Sequence, residues 1–170
     1  EIGKKVFGQP YVPLVVGAPQ LKRFTFFGHL FAGCQGEVHR IDRHPVMSRH
    51  PVTPMREADL RRHLSEQTAL ECGLIDTVML QDADSAEKIE AIAASCQGAL
   101  LFDVADLASQ NSAGEALARL KPHGGWFAAG SSGLEYALLS AWRAQGLLPE
   151  KPHFAPPGKA ARIAVVSGSV

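Results

Sequence analysis

Two Arg-His-Pro triplets, Arg43-His44-Pro45 and Arg49-His50-Pro51, stand six residues apart in this 170-residue chain and crowd cations and ring-locked backbone into one short stretch. A proline fixes its own φ and drives the residue before it out of the helical region. His44 and His50 are therefore expected to be extended, and the run between them to be a stiff loop. Thr53 reads as the N-cap of a following helix and Pro54 as its first residue, where a missing N–H costs nothing. Glu57 and Asp59 then place negative charge near the positive helix end. Arg43, Arg49, His44 and His50 would stand beside free backbone N–H groups, an arrangement suited to a carboxylate or phosphate. The competing reading is a surface loop whose arginines pair with neighbouring carboxylates and contribute little.

A second candidate is the turn Gly130-Ser131-Ser132-Gly133. Its glycines let backbone approach a ligand, Ser131 and Ser132 offer hydroxyls, and a helix starting near Ser132 offers N–H groups; a tight turn with Ser132 capping the helix fits equally well. Asp103, closing the apolar run Leu100-Leu101-Phe102, could act as a base or hold a hydroxyl, although capping a turn is the commoner task. Ser167-Gly168-Ser169 is a further small-residue turn but lacks the GxxxxGK[ST] form of a P-loop. His29, His39, His44, His50 and His63 fall within 35 residues, yet they show neither HExxH nor any metal-ligand frame, and His63 reads as a solvated residue. No G-x-S-x-G elbow supports a serine hydrolase.

These residues need a scaffold, and the chain supplies an α/β pattern. Residues 74–80 and 99–104 are apolar, strand-like runs, separated by helical spacing over 85–95 with Ser85 as N-cap. A helix over 112–120, a strand over 125–129 and a helix over 132–145 continue the alternation, which implies a mostly parallel sheet flanked by helices. Residues 2–7 read as a helix end. Residues 11–16, 24–31 and 37–41 read as strands outside the regular alternation. Residues 149–161 carry Pro149, Pro152, Pro156, Pro157 and Gly158, too many breakers for a helix or strand, and read as a linker. Residues 162–166 read as one further strand. The expected division is one domain over 1–148, the linker over 149–161, and the start of a second domain over 162–170.

Composition narrows the function classes. With 46% apolar and 20% charged residues, the chain can bury one sizeable core. Basic and acidic residues balance at 17 each, which argues against a nucleic-acid-binding face or a polybasic membrane anchor. No apolar run approaches the ~20 residues needed to span a bilayer, and a cytoplasmic protein is expected. The three cysteines, Cys34, Cys72 and Cys96, are widely spaced and form no CxxC pattern, so idle thiols are expected rather than disulfides or zinc.

The runs Phe27-Gly28-His29-Leu30-Phe31-Ala32, residues 43–55, Glu57-Ala58-Asp59-Leu60-Arg61-Arg62-His63-Leu64, residues 130–138 and Val165-Val166-Ser167-Gly168-Ser169 together resemble the four-carbon acid sugar kinase family. The resemblance spans nearly the whole chain, and the double Arg-His-Pro block is its specific part. It implies ATP-dependent phosphorylation of a threonate, erythronate or 3-oxo-tetronate type acid, with Mg²⁺ accompanying ATP. Arg43, Arg49, His50, Ser131, Ser132 and Gly133 would contact the sugar acid, and Ser167, Gly168 and Ser169 the nucleotide. Family members are longer and open on an Asp-Asp-Leu/Phe-Thr-Gly motif that is not found in this sequence. The resemblance therefore implies a fragment of a two-domain kinase, with a substrate-binding domain over 1–148 that is incomplete at its start and the start of a nucleotide-binding domain over 162–170, inactive alone, its catalytic base and metal ligands lying elsewhere. A non-catalytic module that binds small carboxylates is the alternative, and the oligomeric state is open.

Overall fold

The computed structural model describes residues 1–122, 124–150, 153–155, 158–159, 162 and 164. Ser167, Gly168 and Ser169 lie outside the described residues, and the expected linker and following strand lie only partly within them. In chain order the elements are α1 (Ile2–Val6), β1 (Val12–Val15), β2 (Arg23–Phe26), β3 (His29–Cys34), β4 (Glu37–Arg40), α2 (Leu60–Ser65), β5 (Cys72–Ile75), α3 (Thr77–Gln81), α4 (Ala86–Ser95), β6 (Ala99–Phe102), α5 (Leu107–Leu120), β7 (Ala129–Gly130) and α6 (Ser132–Ala144). Short 3₁₀ turns occupy Pro19–Leu21, Ile41–Arg43 and Met47–Arg49.

Four strands form a parallel sheet in the order β5-β6-β1-β7, and three form an antiparallel sheet in the order β2-β3-β4. This is the α/β architecture that the alternating apolar runs predict. The pairing of Val15 with Phe102 sets the central register. Successive strand side chains face opposite ways, so Val15, Leu100 and Phe102 share one face. Ile89 of α4 and Ala113 and Leu117 of α5 pack with them in the larger core, with Leu138 of α6 against it. On the other face Val12, Leu14, Ala99 and Ala129 line an open groove of 440 Å³ with Leu64 and Phe127. A smaller core joins Leu30, Ala32, Ile41 and Ala58 beneath the antiparallel sheet.

Several boundaries differ from the sequence reading, each for a local reason. The apolar run 74–80 is a strand only to Ile75, because the Asp76 carboxylate accepts from the Met79 N–H at 2.8 Å and starts α3. The run 24–31 is two strands joined at Phe27-Gly28, with φ of 49° and 76°, the paired positive values of a two-residue hairpin turn. The strand expected over 125–129 is confined to Ala129–Gly130, following Gly124 and Gly125 at φ of 92° and 94°. α5 begins earlier than Ser112, at Leu107, through a capping box between Asp106 and Ser109. α6 is capped by Ser131 rather than Ser132. Ser85 does precede α4, but its hydroxyl donates to the carbonyls of Met79 and Asp82.

Candidate functional site

Parallel strands bring their carboxyl ends to one edge, where open α/β sheets take their ligands. That edge carries Asp76 after β5, Asp103 after β6, Val16 and Gly17 after β1, and Ser131 after β7. The antiparallel sheet is fastened to the same edge. The Thr25 N–H donates to the Val104 carbonyl at 2.8 Å, and the Thr25 hydroxyl oxygen accepts from the Val104 N–H at 2.7 Å.

The turn after β7 is held to β1 by two hydrogen bonds and closed by a third. The Ser131 N–H donates to the Val15 carbonyl at 2.9 Å. Its hydroxyl donates to the Val16 carbonyl at 2.8 Å, and the hydroxyl oxygen accepts from the Gly133 N–H at 3.0 Å. The Gly133 N–H is therefore engaged within the turn. Gly133 also has a packing requirement, since a Cβ there would collide with the Gly17 carbonyl oxygen. Ser132 is exposed at the start of α6.

The Arg-His-Pro loop has a repeated internal design. His44 and His50 are extended, with ψ of 129° and 128°, as prolines after them require. His44 Nδ1 accepts from the N–H groups of Val46 and Met47 at 3.2 and 3.1 Å. His50 Nδ1 accepts from the Thr53 N–H at 3.0 Å. Thr53 thus closes a turn and is not the cap of a helix. The helix begins at Leu60, with the Asp59 carboxylate accepting from the Arg61 N–H at 3.0 Å, and not at Pro54, contrary to the expectation from Thr53-Pro54. The Met55 N–H donates to the Met47 carbonyl at 2.9 Å, and Met47 and Met55 pack on the smaller core together with Val16. Val16 is the meeting point of the two candidates, its carbonyl bonded to Ser131 and its side chain packed on the same core as the loop's methionines.

Charge pairing separates the arginines. Arg40 binds Asp42 through both nitrogens of its fork, and Arg61 binds Asp59 through Nε and Nη2 at 3.0 and 2.8 Å. Arg43 and Arg49 are exposed and form no ion pair among the described residues. The pairing that the surface-loop reading expected of Arg43 and Arg49 is not found among the described residues; Arg40 and Arg61, outside the loop, are paired instead. His50 is half-buried and His44 buried at 4% exposure.

Asp103 is fully buried and accepts from the Gly28 N–H at 3.1 and 3.2 Å through its two oxygens. Burial pushes its carboxyl up to about 6 against the opposing pull of the Gly28 and Phe27 N–H groups, and Asp76 adds to the rise. Asp103 therefore clamps the β2–β3 hairpin to the parallel sheet. Gly28, which the clamp requires, and Arg61, packed near the Gly28 Cα, do not stand out in the sequence; the small residue inside an apolar strand-like run is the available signal. His63 is half-buried rather than solvated, its Nδ1 enclosed without a hydrogen-bond partner among the described residues. Burial raises the Cys72 thiol to about 11, consistent with an idle thiol.

The family model described as "Sugar-binding N-terminal domain" matches residues 1–138. A 3-oxo-isoapionate kinase of Paraburkholderia graminis is 47% identical over 169 residues, covering 99% of this chain and 36% of the kinase. A 3-oxo-tetronate kinase of Cupriavidus necator is 31% identical over 152 residues, covering 88% of this chain and 32% of the kinase. This chain thus spans about a third of the length of these curated relatives. Among solved structures, a Haemophilus influenzae protein from a family described only as a domain of unknown function superposes with a TM-score of 0.69 at 25% identity, covering 92% of this chain and 35% of its own.

Proposed function

This chain belongs to the family of sugar-binding N-terminal domains, and from that premise we propose that it supplies part of the substrate-binding region of an ATP-dependent kinase acting on a 3-oxo sugar acid of the tetronate or isoapionate type. The named kinases among its relatives support the reaction class. The observation that carries the residue assignment is the stiff loop presenting Arg43 and Arg49 exposed and unpaired among the described residues. In this reading Arg43 and Arg49 hold the substrate carboxylate, with a bidentate contact available to each guanidinium. His50 adds its Nε2–H as a donor, because its Nδ1 is committed to Thr53. The exposed Ser132 hydroxyl would add a hydrogen bond to the substrate, while Ser131 and Gly133, whose hydroxyl and N–H are engaged within the turn, would shape the substrate wall. Ser167, Gly168 and Ser169 are assigned to nucleotide phosphates from the family resemblance alone.

Phosphoryl transfer needs positioning and charge neutralisation more than covalent help. A substrate hydroxyl oxygen attacks the γ-phosphorus, the bond to the β–γ bridging oxygen breaks, ADP leaves, and the hydroxyl proton passes to a base. This chain's residues orient the acceptor for that attack. Among the described residues no group of three or more His, Cys, Asp or Glu side chains could hold a metal ion, so no step is assigned to Mg²⁺ on this chain. Replacing Arg49 by Ala in the whole protein should lower kcat/KM for the 3-oxo sugar acid roughly ten- to a hundredfold, the worth of one charged hydrogen bond, with Tm unchanged. Unchanged kinetics with a lowered Tm would assign Arg49 to structure.

A further inference from the structure

The two histidines of the Arg-His-Pro triplets do the same thing at the same place in the repeat. Each leaves its own residue extended, folds its imidazole back, and offers Nδ1 to backbone N–H groups two or three residues further on. Asparagine and aspartate close turns in this way through a side-chain oxygen. In a histidine, Nδ1 stands the same number of bonds from Cα as the Oδ1 of asparagine. A nitrogen that accepts from N–H groups carries no proton, so both rings are held as the Nε2–H tautomer. Between the caps lies the 3₁₀ turn Met47–Arg49, with the Ser48 N–H and hydroxyl both donating to the His44 carbonyl at 3.0 and 2.7 Å.

We infer that His44 and His50 are positioning residues whose Nδ1 atoms cap two successive turns and so hold Arg43 and Arg49 in their exposed presentation. His39 of β4 meets the His44 ring edge-on at 5.9 Å, Glu37 lies 3.8 Å from His39, Asp42 is bound by Arg40, and Arg43 and Arg49 flank the two histidines. No carboxylate makes an ion pair with either capping ring among the described residues.

The inference rests on the substrate reading only for its kinetic arm. The structural arm is amide hydrogen exchange at Val46, Met47 and Thr53 in the unliganded whole protein. His44→Asn keeps an acceptor at the Nδ1 position, whereas His44→Gln places its acceptor one bond too far. Protection at Val46 and Met47 should persist in His44→Asn and fall about tenfold or more in His44→Gln. Protection at Thr53, which depends on His50, should be unchanged in both variants. Equal protection at Val46 and Met47 in the two variants overturns the capping role. In the kinetic arm, His44→Gln should raise KM for the sugar acid with kcat little changed, and His44→Asn should rescue it. Exchange that follows this pattern while no sugar acid binds would leave the caps standing and sink the substrate reading instead.

Discussion

Asp103 sits under opposing demands. Removal from water favours its neutral form, while the Gly28 and Phe27 N–H groups and the Thr25 hydroxyl favour its anion, and burial prevails, leaving the group at about 6. The same carboxyl in an unfolded chain titrates near 4. Between those values the unfolded chain has released a proton that the folded one keeps. This contribution to stability is therefore complete below about pH 4 and is lost, by up to ~3 kcal/mol, as pH rises through 6. Asp103→Asn keeps an oxygen for the Gly28 N–H and removes the titration. Urea unfolding at about pH 4 and about pH 7 should show the parent protein losing stability relative to the variant across that interval; parallel curves would mean that Asp103 titrates as an ordinary carboxyl. At this scale the sequence shows that Asp103 ends a strand. It cannot show the opposing hairpin, because the clamp joins residues 75 apart in the chain.

The β2–β3 hairpin shows how an element hides in its own composition. Phe27-Gly28 turns the chain with both residues at positive φ, yet the flanking aromatics make 24–31 look like one strand, and the customary asparagine or aspartate before the glycine is missing. Gly28→Ala should destabilise the protein by roughly 1–2 kcal/mol, from the left-handed backbone alone. The new Cβ would add crowding at 3.1 Å from Arg61 Nε. A thermal melt showing no loss would mean that the hairpin tip carries no structural load. The half of the fold from β5 to α6 is legible because apolar strands alternate with helices of regular spacing. Its errors cluster where one side chain redirects an ambiguous run: Asp76 turns an apolar stretch into a helix, and Asp106 starts α5 a turn before its apolar spacing becomes visible. Upstream, Asp59 takes the cap position that Thr53-Pro54 advertises. Periodicity cannot separate a short buried helix from a strand. A proline after threonine serves a turn as well as a helix start.

For the molecule as a whole, the relatives' lengths set the expectation: this chain corresponds to about a third of each kinase, and a kinase orients its acceptor by closing around both substrates. Coupled ADP release with a panel of 3-oxo sugar acids should therefore give no turnover for the 170-residue chain alone and turnover for the whole protein; robust activity of the chain alone would refute the assignment of Arg43, Arg49 and the Ser131 turn to one half of a divided site. Strand β1 lies between β6 and β7, but it is synthesised early, and its partners are residues 99–102 and 129–130. The neighbouring β2-β3-β4 meander pairs locally and can form as soon as it leaves the ribosome, whereas β1 must wait on the order of ten seconds at typical elongation rates before β6 arrives. Throughout that interval the nascent chain offers an apolar strand with both edges open, the condition under which aggregation and chaperone capture compete with folding.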